Sequence, residues 1–313
     1  MDIDQHAALP FPQSLPEFQR LFPDDAACAE YLEKARWGDG FVCPHCGVTG
    51  EPFRIATRSG VLACRKCRRQ TGLTVGTVME RSHTPLSIWF WAAYLVASQT
   101  PGMSAVQFQR QLGLSRYETA FQILHKLRAG MVRPDQDRIG GRANEHVEVE
   151  VRHRKPGTAQ DKRKDWRYAG RVRLAVAADR SAKSLCGFVD GAVAPGTLVV
   201  TDDWSGYASL RKRGYDHHAI AECGDPEVTE EFLPIVHLVF ANLKTWLIGI
   251  HHGVSAQHLQ AYLNEFTFRF NRRFYPFNAF RSLLGIAGDV KAPTYAELYS
   301  GDWTHPTCSG CVG

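Results

Sequence analysis

Hydrophobic residues recur at helical spacing through most of the first 130 residues, interrupted by one cysteine-rich stretch. A helical lead-in is predicted over residues 13–36, and Pro85 opens an apolar helix that extends to about Ser98. Gly113 separates two further helices, predicted over residues 104–112 and 115–128. The N-terminal part of the chain is therefore predicted to be mainly helical.

From residue 145 the hydrophobic positions take the period of strands. Residues 147–151 and 172–176 alternate apolar and polar side chains and are predicted as strands, and the apolar run 197–201 is predicted as a buried strand. Helices are predicted at 181–189, 207–213, 235–249 and 256–273, with a short strand at 217–221. Early strands followed by interleaved helices predict a mixed α/β domain.

The composition is that of an ordinary globular protein. Apolar residues make up 44% and charged residues 22%, which excludes a chain that is disordered throughout. The net charge of +5 is mild, but basic residues cluster beside one cysteine pair and again over 152–173. The first ten residues lack the apolar core of a secretory signal, and the run Ile88–Ala97 is about half of the roughly 20 residues that a membrane helix needs. We therefore expect a soluble, cytoplasmic protein.

Two Cys-x-x-Cys pairs carry the strongest chemical signal. Cys43 and Cys46 are followed, after 17 residues, by Cys64 and Cys67, which is the spacing of a four-cysteine zinc site. Four thiolates leave no open position on the metal, so the predicted role is structural. The ribbon is expected to present four basic residues to DNA, namely Arg65, Lys66, Arg68 and Arg69. A further pair at 308 and 311 has no partner pair and is interpreted as incidental.

Residues 104–120 have the period of a helix-turn-helix. Gly113 permits the turn, and Ser115 is expected to cap the second helix. The predicted apolar seam consists of Ala105, Val106, Leu112, Leu114 and Ala120. The predicted DNA-facing residues are Arg116, Tyr117, Gln122 and Lys126. A plain helical hairpin would show the same pattern, and the adjoining ribbon favours DNA contact.

An acidic turn follows the predicted buried strand at 197–201. Asp202 and Asp203 stand at its carboxyl end, where carboxylates are well placed to bind divalent ions that assist phosphoryl transfer. An exposed acidic turn of no catalytic use would look the same.

The ribbon, the segment Thr201-Asp-Asp-Trp-Ser-Gly-Tyr207 and the stretch 242–273, with its His-His-x-Val-Ser, together resemble the zinc-ribbon insertion-sequence transposases of the DDE class. The resemblance extends to about residue 285. It implies an α/β protein in which a zinc ribbon (13–80) and a helix-turn-helix (85–130) precede a ribonuclease-H-like mixed-sheet domain (145–285) and a loop-rich tail (286–313).

The family signature is Asp, Asp and then Asn, His or Glu, with Lys seven residues further on. The resemblance places the second Asp at Asp202, the third position at His237 and the lysine at Lys244. Seven residues are about two helical turns, so the last two side chains would share a face. His237 would bind a metal or orient water, and Lys244 would pair with a phosphate. Glu230 or Glu231 is an alternative source of a third carboxylate.

The resemblance also implies cofactors and partners. Zn²⁺ would be structural and Mg²⁺ or Mn²⁺ catalytic. The partners would be the terminal repeats of the element and the target DNA. A homodimer or larger assembly is expected when two ends are brought together.

The first aspartate of the signature is missing. The family's first strand resembles Val-Glu-Val-Asp-Glu, whereas here residues 147–151 run directly into basic residues, as if two early strands were fused. Glu150 or Glu148 stands nearest the missing position. The extra methylene of Glu moves the carboxylate, and about 1 Å of misplacement can cost ~100-fold in rate. Two alternatives to an active transposase stay open: a non-catalytic DNA-binding relative that occupies terminal repeats, and a zinc-ribbon transcription regulator.

Overall fold

The computed structural model describes residues 9–55, 57–58, 60–99, 101–133, 136–141, 146–150, 170–221, 231–288, 290, 293–300 and 302–306. The basic stretch 152–169, Glu230 and the cysteine pair at 308 and 311 lie outside the described residues. The helices and strands are, in chain order, α1 (Leu15–Leu21), α2 (Asp25–Arg36), β1 (Phe53–Arg54), β2 (Val61–Ala63), β3 (Gln70–Gly72), α3 (Leu86–Ser98), α4 (Ala105–Gln111), α5 (Tyr117–Ala129), β4 (His146–Val149), α6 (Ala182–Ala192), β5 (Leu198–Asp202), β6 (Asp216–Ile220), α7 (Pro234–His251), α8 (Leu259–Asn271), α9 (Pro276–Ala287) and α10 (Tyr295–Ser300). Short 3-10 turns occupy Ser205–Tyr207, Arg211–Arg213 and Ala256–His258.

The described residues form two compact units. The first contains the chain up to Val132 together with Arg272–His305, and the second contains Arg133–Asn271 together with Pro306. The second unit is therefore inserted, in chain order, between two parts of the first.

The helical lead-in consists of two helices, because Pro23 and Asp24 interrupt it. Asp24 begins α2 as its cap, with a side-chain oxygen that accepts the N–H of Ala27 at 2.9 Å. The ribbon that follows is a small antiparallel sheet in which β2 pairs with both β1 and β3.

Helix α3 forms the centre of the first unit. It is apolar on all sides and almost wholly buried, as expected for a core helix. An aromatic cluster surrounds it, and Phe280 of α9 lies in the cluster with ring centroids 5.6 Å from Phe22 and 6.1 Å from Phe90. The resemblance implies a catalytic domain that extends to residue 285, whereas the large apolar side chains of residues 276–285 pack in the first unit. The tail after 285 also contains α10.

Helices α4 and α5 are joined by a turn at Gly113, which has a φ of 61°. The prediction that Ser115 caps the second helix is wrong. The carbonyl of Gln109 accepts the N–H of Leu114, and the side-chain amide of Gln109 donates to the carbonyl of Leu114, so the turn continues past Gly113. Helix α5 begins at Tyr117 and has no side-chain cap. The predicted seam is also wrong at one position, because the side chain that packs inward from α4 is Phe108.

Val106, which was expected in the seam, is 45% exposed, while Phe108 is fully buried. These two positions on α4 are two residues apart, so they project in different directions from the helix.

The second unit is built on a parallel sheet of order β4-β5-β6. Val149 of β4 pairs with Thr201 of β5. Helix α6 covers one face, where Val149, Val199 and Val189 share a core cluster. Helix α7 contacts β4 on the side to which Glu148 points, since the N–H of Val236 donates to its carboxylate.

The prediction of a strand over 172–176 is wrong, because the structure has no strand there. The backbone groups of this segment bond instead to amide side chains of α8. The N–H of Val172 donates to Asn271 Oδ1 at 2.7 Å, and Asn271 Nδ2 donates to the carbonyl of Val172 at 3.0 Å. Gln260 makes similar bonds to Val176 and Leu174. These amides satisfy groups that a neighbouring strand would otherwise satisfy.

Replacing Asn271 should therefore destabilise the second unit. We expect Asn271→Ala to lower the free energy of unfolding by about 2 kcal/mol, because it leaves the N–H of Val172 unpaired and removes one of the two donors to its carbonyl, the other being Arg173 Nη1. Asn271→Asp keeps the acceptor and loses the donor, so its loss should be smaller. Urea denaturation of the three proteins provides the measurement, and equal midpoints would contradict the assignment.

Candidate functional site

The four cysteines of the ribbon converge. Their sulfur atoms all lie within 4.8 Å of one another. Cys43 Sγ is 3.6 Å from Cys67 Sγ, and Cys46 Sγ is 3.7 Å from Cys64 Sγ. A tetrahedral ion with Zn–S bonds of about 2.3 Å requires sulfur separations of about 3.8 Å. The donor set and its spacing therefore fit structural zinc.

Both cysteine pairs lie in the same kind of turn. The N–H of Gly47 donates to the carbonyl of Cys43, and the N–H of Arg68 donates to that of Cys64, each at 2.9 Å. Gly47 and Arg68 both adopt left-handed backbone angles, with φ of 69° and 59°. Hydrogen bonding from the backbone N–H of Cys67 is the main cause that lowers the pKa of Cys64, while the pKa of its neighbour Cys46 is raised, so one sulfur of the two ionises before the other.

The basic residues of the second turn are exposed. Arg65, Lys66, Arg68 and Arg69 all lie at the surface, as a DNA-binding role requires. The guanidinium of Arg65 stacks 4.4 Å from the ring centroid of Phe53. This contact holds one cation in a fixed position on the ribbon.

The residues of α5 that were predicted to face DNA differ in their exposure. Arg116 and Tyr117 are exposed at its start. Lys126 is only 7% exposed, and its Nζ donates to the carbonyl of Glu80 at 2.7 Å and lies 6.0 Å from the ring centroid of Trp89. Burial lowers the pKa of Lys126. Its position two and a half turns along α5 brings it onto the packed side, away from the exposed start of the helix.

In the second unit, the pairing of β4 with β5 brings two carboxylates together. Because Val149 pairs with Thr201, the next residues, Glu150 and Asp202, are neighbours at the carboxyl ends of adjacent strands. Both side chains point away from the α6 core, since Val149 and Thr201 precede them and face it. Adjacent strands lie about 4.8 Å apart, so the two carboxylates share one small region.

Glu148 has a different position. Its side chain is buried, and Oε2 accepts the N–H of Val236 at 2.7 Å, so it caps the start of α7. The residue at the start of α7, Leu233, has no side chain that could do this. Burial raises the pKa of Glu148. Of the two glutamates considered from the sequence, Glu150 is the one beside Asp202.

His237 and Lys244 lie on α7, which runs unbroken over Pro234–His251. His237 Nε2 is 3.0 Å from Glu150 Oε2. Lys244 lies two turns further along the helix and is exposed. Glu231, the alternative carboxylate, is exposed before the start of α7.

Only part of a divalent-ion site is assembled. Asp202 Oδ1 and Glu150 Oε2 are both buried, and Glu150 Oε2 is the oxygen that lies 3.0 Å from His237 Nε2. Carboxylate oxygens are the ligands that a hard divalent cation prefers. Apart from the four cysteines, the described residues contain no group of three acidic, histidine or cysteine side chains whose ligand atoms lie within 4.8 Å. The residues present therefore fit two ligands of one ion.

The turn after β5 is held by close packing. The indole N–H of Trp204 donates to the carbonyl of Arg180 at 3.1 Å, and the guanidinium of Arg180 lies 3.7 Å from the centroid of the Trp204 ring. A Cβ on Gly206 would come within 2.9 Å of Leu185 Cδ1. This explains the Trp-x-Gly spacing. Hydrophobic period gives no signal for Arg180, and its position follows only from the packing.

A cavity of about 810 Å³ lies beside β4. It is lined by every residue of that strand and by Gly170–Leu174, but by none of β5. Among the described residues, β5 is the only strand paired with β4. The space therefore lies where a neighbouring strand of the sheet would lie.

The described residues thus combine a four-cysteine ribbon with a mixed α/β unit in which two carboxylates are neighbours at the carboxyl end of a parallel sheet. Residues 23–70 match the model of the transposase zinc-ribbon domain, and residues 127–271 match that of the ISXO2-like transposase domain. Together the two matches cover more than half of the chain. The chain belongs to the zinc-ribbon insertion-sequence transposases.

Comparisons with curated proteins and with solved structures give no further relative. No curated protein and no solved structure matches the chain. Within the described residues, no helix combines the length and the apolar character that a membrane span requires.

The two ribbon turns should respond oppositely to exchange of their left-handed residues. Gly47→Ala should weaken zinc retention and Arg68→Gly should strengthen it, each by about 1 kcal/mol, because a side chain is disfavoured at these angles. Nothing lies within 4 Å of a Cβ at Gly47, so the change there reports the backbone alone. Competition with a zinc chelator gives the measurement, and an unchanged Gly47→Ala protein would contradict it.

Substitutions at Arg116 and Lys126 should have different effects, the first on DNA binding and the second on the stability of the fold. Arg116→Ala should lower the salt dependence of DNA affinity by about one phosphate contact and leave the melting temperature unchanged. Lys126→Ala should lower the melting temperature, because it leaves the carbonyl of Glu80 without its donor, and should not change the salt dependence. The reverse pattern would show that the exposed start of α5 does not contact DNA.

Proposed function

We propose that this transposase cuts and joins the ends of its element by metal-dependent phosphoryl transfer, with Glu150 in the place of the missing aspartate. The observation that carries the proposal is the 3.0 Å contact between Glu150 and His237 at the position beside Asp202. In this proposal three of the four residues of the reacting centre act together at one end of the sheet: Glu150 follows β4, Asp202 ends β5 and His237 lies on α7.

DNA is held by the first unit in this proposal. The exposed basic residues of the ribbon, Arg65, Lys66, Arg68 and Arg69, neutralise backbone phosphates, and Arg116 and Tyr117 at the start of α5 approach a groove. The terminal repeats are bound this way, and target DNA reaches the second unit.

At the reacting centre, Glu150 and Asp202 would hold Mg²⁺ or Mn²⁺. Such an ion supplies electrostatic stabilisation to the charge that develops on phosphate oxygens. His237 donates a hydrogen bond from Nε2 to the Glu150 carboxylate and orients the attacking oxygen. Lys244, exposed two turns along α7, pairs with a phosphate of the bound strand.

Joining two element ends requires two reacting centres. We propose that a homodimer or larger assembly forms on DNA, with each copy contributing its own Glu150 and Asp202. No step of the proposal needs the assembly to exist before DNA is bound.

Cleavage of a labelled element end in Mg²⁺ or Mn²⁺ tests this function. We expect Asp202→Asn and Glu150→Gln each to lower the rate by at least ~100-fold, because loss of a metal ligand acts on the transition state. Lys212→Gln, at an exposed position before β6, serves as the matched control and should cleave normally. Normal cleavage by Asp202→Asn would refute the assignment.

A second candidate is a non-catalytic relative that occupies terminal repeats. The cavity beside β4 and the two-ligand geometry favour it. It predicts that the chain binds element ends without cutting them, and that insertion of an Asp-containing strand after β4 restores cleavage. Cleavage by the unaltered chain would exclude it. A regulator with an unrelated second domain is disfavoured by the transposase-domain match over 127–271.

A further inference from the structure

One cation near the carboxylate pair is held in place and has no acidic partner. Arg180 immediately precedes the cap of α6, and its guanidinium lies flat against Trp204, 3.7 Å from the ring centroid. Its Nε atom is buried and makes no hydrogen bond within the part of the chain that the structure describes. No ion pair joins Arg180 to an acidic side chain among these residues.

The nearest acid in sequence is already engaged. Asp179 Oδ1 accepts the N–H of Ser181 at 2.9 Å and the hydroxyl of Ser184 at 2.6 Å. These bonds, with those of Ser181 first, lower the pKa of Asp179 to about 2, so the carboxylate is charged and committed to the start of α6. Among the described residues the guanidinium therefore has no acidic side chain to pair with, which leaves it to bind another anion.

The stacking partner places Arg180 at the reacting end of the sheet. Trp204 follows Asp202 by two residues, and its N–H is bonded to the carbonyl of Arg180 itself, so the pair is fixed by two contacts. Tyr207, buried below, has its pKa raised first by burial and then by the charges of Asp202 and Glu150, while Arg180 opposes the shift. All three charges thus act on one buried hydroxyl.

We propose that Arg180, held against Trp204, binds a phosphodiester group of the DNA strand that lies over Asp202. This deepens the proposed function and rests on it, since it assumes that DNA reacts at this end of the sheet. A phosphate there faces Glu150, Asp202 and Asp203, and a preorganised guanidinium offsets that repulsion with planar, two-point hydrogen bonding. Stacking on an indole leaves the donor edge open and fixes its direction.

The test measures binding, so it does not depend on cleavage. The full zinc-loaded chain is titrated with duplexes spanning the element end, each carrying one neutral methylphosphonate at a different position near the junction. We expect Arg180→Gln to weaken binding of the unmodified duplex about 10-fold and to lower its salt dependence by about one phosphate. At one methylphosphonate position the variant and the unaltered chain should bind equally.

Four further proteins sharpen the result. Trp204→Leu should lose as much affinity as Arg180→Gln, and the double variant should lose no more, since the indole acts through the guanidinium. Arg180→Lys, which keeps the charge without the planar fork, should recover only part of the loss. Lys212→Gln removes the same charge at the other edge of the sheet and should couple to none of the modified positions.

The outcomes separate this inference from the proposed function. Coupling at one phosphate together with no cleavage by the unaltered chain supports the Arg180 site and overturns the catalytic proposal. Normal cleavage together with unchanged binding by Arg180→Gln overturns the Arg180 site and supports catalysis. Equal losses at every phosphate position would also overturn it, because they indicate a diffuse charge effect.

Discussion

The register between β4 and β5 is the constraint on which the rest of the second unit depends. A parallel pair in which Val149 meets Thr201 makes neighbours of Glu150 and Asp202 and turns both away from the α6 core. A shift of β4 by one residue would exchange the faces of that strand, so that Glu150 would point into the apolar α6 core and away from Asp202. The same register lets Glu148 reach the start of α7, which brings His237 to its place. One set of backbone hydrogen bonds therefore fixes every member of the proposed reacting centre.

The parts that sequence predicted well are those determined by local patterns. The spacing of four cysteines was enough for the ribbon, whose sulfurs converge as expected. Helix α6 and strands β5 and β6 follow hydrophobic period within a few residues. The placement of His237 and Lys244 on one helix needed only the seven-residue interval, because α7 is unbroken. The resemblance supplied the roles of these residues, which remain proposals.

The errors arose where distant groups decide the outcome. Residues 172–176 alternate like a strand, but Asn271 and Gln260, almost a hundred residues away, satisfy their backbone groups. Lys126 has the charge of a DNA-binding residue, yet the carbonyl of Glu80 and the face of Trp89 hold it in the packed side of α5. No sequence pattern indicates a role for Arg180. Its position depends on an indole that follows a strand in another part of the chain.

The position of Phe280 in the aromatic cluster determines when, during synthesis, the core of the first unit can be completed. The cluster belongs to the unit that carries the ribbon, but this ring is made after the whole of the inserted second unit. At ~5–20 residues per second, a ribosome needs roughly 7–30 s to proceed from Val132 to Phe280. During that time the nascent N-terminal helices have a gap in their core that only residues synthesised after the second unit can fill. A message cut short before this codon yields chains with an open apolar core, which are substrates for chaperones and proteases.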